Sequence, residues 1–155
     1  MEILLADEHH LSEVFRLTHD TIAEIYPKYY RDEAVAFFHD WHRMERIKED
    51  LIARRIYIME ENGVIVATGT VDGDHVNRLF VRPDCQGKGC GSAMMDFLER
   101  KIFSEYDAVW VDASLPAGRF YHKRGYVARE YCEHILENDK RLAYEVMSRK
   151  NPRVP

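Results

Sequence analysis

A chain of 155 residues, 46% apolar and 32% charged, lies in the range of a globular domain large enough to bury a compact core. Its net charge of −5 argues against nucleic acid as the main partner, and no apolar run is long enough for a membrane-spanning helix. Three cysteines, an odd count without a framework spacing, point to a reducing cytoplasm rather than to disulfides.

The N-terminal stretch Met1 to Asp7 is too short and too acidic for a signal peptide and reads as a first strand. Leu11, Val14, Phe15, Thr18, Ile22 and Ile25 then recur at helical spacing, with Asp7 as the N-cap. After Pro27, one longer helix is predicted to carry Phe37, Phe38, Trp41, Met44, Leu51 and Ile52 on one side. Arg55 to Glu60 and Val64 to Val71 are β-rich runs joined by the turn Glu61-Asn62-Gly63, and Asp72-Gly73-Asp74 turns into a strand ending at Val81. Met94, Met95, Leu98 and Ile102 mark another amphipathic helix, followed by a strand from Asp107 to Ala113 and a short helix from Pro116 to Arg124 closed by Gly125. Strands over Val127–Cys132 and Arg141–Met147 complete the pattern. No repeat or linker interrupts it, so residues 1–155 are expected to form one α+β domain.

The most informative segment is Arg78-Leu-Phe-Val-Arg-Pro-Asp-Cys-Gln86-Gly-Lys-Gly89-Cys-Gly91-Ser92, where a strand, a Pro-Asp turn, a loop with alternate glycines and a helix follow without a gap. That order aims successive backbone N–H groups and a helix N-terminus at one point, a site for an anion such as a pyrophosphate. Gly87 and Gly89 permit backbone conformations that a Cβ would forbid, and Gly91 keeps side-chain atoms out of the first helical turn. Arg78, Arg82 and Lys88 give the segment a positive excess over Asp84. A glycine-rich connection without a ligand is the bland alternative. The loop is neither a P-loop, since no Lys-Ser or Lys-Thr closes it, nor a dinucleotide fingerprint, since the glycine spacing fails from both Gly87 and Gly89.

Gln86-Gly-Lys-Gly89-Cys-Gly91 resembles the pyrophosphate-cradling Q/R-x-x-G-x-G/A motif of the Gcn5-related N-acetyltransferase (GNAT) family. Further on, Ser114-Leu-Pro-Ala117-Gly-Arg-Phe120-Tyr121-His-Lys-Arg-Gly125-Tyr126 resembles a second motif of the same family. The resemblance spans essentially the whole chain and implies a GNAT-like, mixed but mostly antiparallel sheet of about six to seven strands flanked by about four helices. It also implies acetyl-CoA as cosubstrate, with pyrophosphate on Gln86, Gly87, Lys88, Gly89, Cys90, Gly91 and Ser92. The pantetheine arm would lie along Leu79, Phe80 and Val81, and Ser114, Ala117 and Phe120 would flank it near the thiol. The expected reaction is direct transfer of an acyl group to a primary amine of a small molecule or peptide. A non-catalytic acyl-CoA-binding or sensing module is the alternative.

By the same resemblance Tyr121 stands where the family has a general-acid tyrosine, and N–H donors on the strand through Phe80 and Val81 would stabilise the oxyanion. The family's histone-acetylating branch has a glutamate where this chain has Asn77, an amide that is no base at neutral pH. His75, two residues earlier, has a suitable unperturbed pKa and is the remaining candidate for a base acting through water, against the bland reading of a solvated turn residue. His39, His42 and Glu45 share a helical stripe that reads as a wet face rather than a metal site, so no metal is expected. Cys90, at a helix N-terminus, would favour the thiolate or simply be small. Tyr26, Tyr29, Tyr30 and Trp41 belong either to the wall of an acceptor pocket or to the core. Family members often pair, so a homodimer is an open expectation.

Overall fold

In a computed structural model covering residues 1–155, seven strands form one sheet in the order β1-β2-β3-β4-β5-β7-β6. They span Glu2–Leu5 (β1), Ile56–Glu61 (β2), Val64–Asp72 (β3), His75–Val81 (β4), Ala108–Ala113 (β5), Val127–Ile135 (β6) and Arg141–Lys150 (β7). Five helices flank them: α1 (Leu11–Ile25), α2 (Asp32–Trp41), α3 (Met44–Ile52), α4 (Cys90–Phe103) and α5 (Gly118–Lys123). All neighbouring strands are antiparallel except β4 and β5. This is the α+β, mostly antiparallel architecture that the sequence implied. No helix is long and apolar enough to cross a membrane.

Two cores sit on the two faces of the sheet. Val14, Leu17 and Ile22 of α1 and Ile47 and Leu51 of α3 pack against Ile56, Ile58, Ile65 and Phe80 on one face. On the other, Met94, Met95, Leu98 and Ile102 of α4 pack against Met59, Ala67, Val109, Val111 and Met147, with Tyr121 and Tyr126 joining them. Helices α1, α3 and α4 therefore each bury an apolar stripe, whereas of the stripe expected after Pro27 only Leu51 is fully buried, and Trp41 and Ile52 remain exposed because the helix breaks between them.

Local structure departs from the sequence reading at two places. The single long helix expected after Pro27 is broken into α2 and α3, because the chain leaves helical geometry at His42 and enters α3 through an extended Arg43. Asp7 caps a short 3-10 turn over Glu8–His10, accepting the His9 N–H and completing a capping box with His10, and α1 begins only after that turn. The β2–β3 hairpin turns at Asn62 and Gly63, both at positive φ, as the sequence suggested.

The feature that positions the site is the divergence of β4 from β5. The two strands pair only at His75↔Trp110 and Val76↔Val111. Immediately beyond, the β3–β4 register shifts between Thr70 and Val71, and Asn77 is the extra residue on the β4 side. A bulge of this kind bends and twists its strand, which carries the C-terminal half of β4 away from β5 and opens the sheet.

Candidate active site

Peptide groups alternate along a strand. The Arg82 N–H donates to Val66 O of β3 at 2.9 Å, so in this register the N–H groups of Phe80 and Arg78 also face β3. Those of Leu79 and Val81 face the gap left by β5 and have no strand partner there. Donors for an anionic oxygen are therefore Leu79 and Val81. The expectation that Phe80 contributes an N–H fails on this parity, and its side chain is buried, 6% exposed, against the helices of the opposite face. The Val81 carbonyl, also in the gap, accepts from Gln86 Nε2 at 3.1 Å.

Past Val81 the chain forms a 3-10 turn over Pro83–Cys85 and then the glycine loop. Gly87 and Gly89 adopt φ of 72° and 88°, the left-handed region where a Cβ is strained. Gly89 N-caps α4 without any side-chain cap, and the first amide to return to its carbonyl is that of Ala93. The N–H groups of Cys90, Gly91 and Ser92 thus have no acceptor in the chain and project from the positive end of a fourteen-residue helix. A Cβ on Gly91 would meet Val81 Cγ2 at 3.5 Å and the Phe120 ring at 3.6 Å, ordinary contact distances, so the start of α4 packs directly on β4 and α5.

The basic residues divide. Arg82 is held by Asp84, and Lys88 is exposed with no carboxylate beside it. Arg78, expected near the anion, points away from the loop and is 5% exposed on the α3 side. There it donates to His42 Nδ1 at 3.1 Å and to Thr70 Oγ1 at 3.2 Å, and pairs with Asp50 at 3.0 Å. Cys90 is also buried, its Sγ 3.9 Å from Met1 Sδ, so it offers no open thiol.

A cavity of about 630 Å³ opens where β4 and β5 part. Val76 to Phe80 form one side, Asp112 and Ser114 with Ala117 and Tyr121 the opposite side, and aromatic residues of α2 with His134 and Tyr144 the roof. Tyr121 belongs to the core on the α4 face yet lines this cavity, so it spans the gap in the sheet. It makes no hydrogen bond within the protein, and burial pushes its pKa above the ordinary phenol value, so the hydroxyl holds its proton at neutral pH. Tyr26 Oη lies 3.4 Å from Ser114 Oγ, and Tyr30 Oη accepts the Leu115 N–H at 2.7 Å, which ties the first helical segments to the start of α5. Tyr29 is exposed and takes no part in the cavity wall.

His75 stands at the far end of the gap, where its ring bonds Asp74 at 2.7 Å and stacks on Trp110, and it does not line the cavity. The bulge at Asn77 breaks the alternation that was expected to carry it into the site. The His39, His42 and Glu45 stripe also disperses: His39 contacts His19 Nδ1 at 2.6 Å, His42 turns to Arg78, and Glu45 lies 3.9 Å from Arg43.

Three features of the site escaped the sequence reading: the buried His42–Arg78–Asp50 network, Asp112, and Glu99. Glu99 lies on the apolar stripe of α4 between Met95 and Ile102, and a carboxylate at core spacing was the available signal. It accepts from Arg124 Nη2 at 2.8 Å, Arg149 Nη1 at 2.8 Å and Tyr126 Oη at 2.9 Å.

His42 gives a pH-dependent prediction. Burial, and then the Arg78 charge, push its pKa down from 6.5 to about 3. Below 6.5 the unfolded chain takes up a proton that the folded imidazole refuses until about 3, so stability falls as pH drops through that window. The loss is at most about 1.4 kcal/mol per pH unit. In urea unfolding between about pH 6 and about pH 4.5, His42→Gln is expected to show a shallower decline than the parent protein. Equal slopes would mean that the ring protonates in the folded state.

Free amides on a glycine loop, unpaired N–H groups in a splayed sheet and a buried phenol beside a cavity thus lie along one gap in the sheet. The Acetyltransferase (GNAT) domain family matches residues 26–136, and the chain belongs to that family. No curated protein matches it in sequence. A GCN5-related N-acetyltransferase from Rhodopseudomonas palustris has the same fold at 24% identity, with a TM-score of 0.89 over 97% of this chain and 95% of that one. PaiA N-acetyltransferase from Thermoplasma acidophilum, solved with coenzyme A, is 12% identical with a TM-score of 0.72 over 97% and 98% of the two chains. The ribosomal-protein-S18-alanine N-acetyltransferase of Escherichia coli is 14% identical with a TM-score of 0.71 over 96% and 92%.

Proposed function

We propose that this chain transfers an acetyl group from acetyl-CoA directly to a primary amine bound in the cavity, in a ternary complex. The observation that carries this reading is the alignment of three groups along one gap. The unaccepted amides of Cys90 to Ser92 begin it, the Leu79 and Val81 N–H groups follow, and Tyr121 ends it beside the cavity.

The residues fit that substrate in roles their environments support. Amides at a helix N-terminus, with Lys88 free beside them, hold a pyrophosphate. Leu79 and Val81 meet the pantetheine amides edge-on once Gln86 releases the Val81 carbonyl, and Ser114, Ala117 and Phe120 flank the arm. The neutral amine attacks the thioester carbonyl while an N–H in the gap holds the oxyanion. The C–N bond forms and the C–S bond breaks. Tyr121 gives its proton to the departing sulfur, and the proton lost from nitrogen goes to solvent and restores the phenol. His75 has no place in this sequence of steps, and no dedicated base is required of it. Three unpaired cysteines accord with a reducing, cytoplasmic setting. The exposed edge strand β6, with Tyr131 and Ile135 open to solvent, is where a second copy would pair.

Calorimetric titration with acetyl-CoA, with NADH and ATP as controls, tests the central step. Selective binding of acetyl-CoA is expected, and its absence from folded protein removes the reading. Gly89→Val should weaken binding by tenfold or more, because a β-branched residue at φ 88° costs about 1–2 kcal/mol and the loop relaxes away from its amide-presenting shape. Unchanged affinity would separate the glycine loop from the ligand.

A further inference from the structure

Resting on the acyltransferase reading, we infer the class of acceptor: a monoamine with a flat aromatic body, its nitrogen received by Asp112. Asp112 follows Val111, the last β5 residue paired with β4, and so stands where the gap begins. It lines the cavity, is exposed to it, and has no cationic partner. The other acids of the wall are less available at that place. Asp50 is paired with Arg78, and Glu49 lies on α3, across the cavity from β5. Asp112 lines the same cavity as Tyr121 and Ser114, so an amine it receives as the ammonium ion is held in the space where the neutral amine, its proton passed to solvent, attacks the acyl group.

A row of rings leads away from that carboxylate. Tyr144, which lines the cavity with Asp112, stacks on His134 with centroids 5.4 Å apart and planes 23° apart. His134 meets Phe37 at 5.4 Å, and Phe37 stacks on Trp41 at 5.8 Å. Trp41 keeps 44% of its surface exposed, so the row presents aromatic area to the cavity and not only to itself. Ring edges and faces at this spacing favour another flat ring over an aliphatic chain of the same area. The far end carries Arg46, whose guanidinium lies 4.1 Å over Trp41 and has no carboxylate partner, with Arg43 also on the wall. Arg43 is paired with Glu45, so Arg46 is the unpaired cation at that end, and it disfavours a second ammonium beside Trp41. One cation near Asp112 and an uncharged planar body along the rings match that side of the cavity.

The test compares acetyl transfer to phenethylamine, hexylamine and spermidine, with acetyl-CoA affinity measured separately by calorimetry. Phenethylamine is expected to exceed both others in kcat/KM by at least about tenfold, a difference of about 1.4 kcal/mol. Asp112→Asn should raise the KM for phenethylamine by tenfold or more at unchanged acetyl-CoA affinity, and Asp112→Glu should recover part of it. His134→Ala should reduce the ratio of kcat/KM for phenethylamine to that for hexylamine by severalfold. If acetyl-CoA binds but hexylamine or spermidine matches phenethylamine, or none of the three is acetylated, the inference is overturned and the coenzyme assignment stands. An Asp112→Asn protein with the parent KM overturns it as well. If acetyl-CoA does not bind, the acyltransferase reading falls first and takes this inference with it.

Discussion

Tyr121→Phe is expected to lower kcat by roughly ten- to a thousandfold, the usual size of a general-acid contribution, with little change in acetyl-CoA affinity. The expectation follows from what the hydroxyl does and does not touch. It has no hydrogen-bond partner in the protein, so its removal leaves no buried donor or acceptor unsatisfied, and the thermal midpoint should hold or rise slightly. The ring remains in the core beside Phe120 and Tyr126, so the wall keeps its shape. What is lost is one proton, held firmly at neutral pH by burial, which the proposed function gives to the departing sulfur. Because that proton moves only in the transition state, kcat and kcat/KM for the amine should fall together. Steady-state thiol release, calorimetry with acetyl-CoA and a thermal melt separate these terms. Full turnover in the variant would remove Tyr121 from the chemistry, and acetyl-CoA binding without any turnover in the parent protein would favour a sensing module.

The same residue shows how far the sequence could be read and where it stopped. The glycine loop was legible because its chemistry is local: Gly87 and Gly89 sit at positive φ and the next amides are free, as alternate glycines ahead of a helix suggest. The strands were legible because alternation and turn residues are local too, and the hairpin at Asn62-Gly63 follows from them directly. A single register shift was not. The bulge at Asn77 depends on how β3 and β4 pair across space, and it alone decides several assignments. It separates His75 from the cavity, gives the free N–H groups to Leu79 and Val81 rather than Phe80, and opens the sheet that Tyr121 spans. Arg78 was counted in the positive excess of the loop segment, but strand parity turns it toward Asp50 and His42. The break between α2 and α3 was hidden because neither His42 nor Arg43 is a helix breaker. Asp112 carried no motif and became visible only when the cavity brought it opposite α3.

Glu99→Ala should produce the largest loss of stability of any single substitution named above, about 3–5 kcal/mol, the range for removing one partner of a buried charged cluster. Its side chain is 6% exposed and sits among Arg124, Arg149 and Tyr126. Arg124, 12% exposed, would keep Asp96 at 2.7 Å but lose both of its bonds to Glu99. The Tyr126 hydroxyl, buried and with its pKa raised by that burial and then by the Glu99 charge, would lose the acceptor it has. Native domains hold only about 5–15 kcal/mol in total, so the midpoint should drop by roughly 10 °C at about 2–4 °C per kcal/mol for a chain of this size. On the proposed function the consequence extends to activity, because Glu99 joins α4, whose first amides are free, to Arg124 at the end of α5, which carries Tyr121. At a temperature where the variant remains folded, its kcat should fall more than its affinity for acetyl-CoA, since the loop amides stay on α4 while the phenol loses its fixed distance from them. Glu99→Gln, which keeps an acceptor oxygen for Tyr126 but loses the charge for both arginines, should lie between the two in midpoint and in kcat. A variant as stable as the parent would show that Asp96 and water satisfy Arg124 by themselves, and that α4 and α5 are held together by their apolar contacts alone.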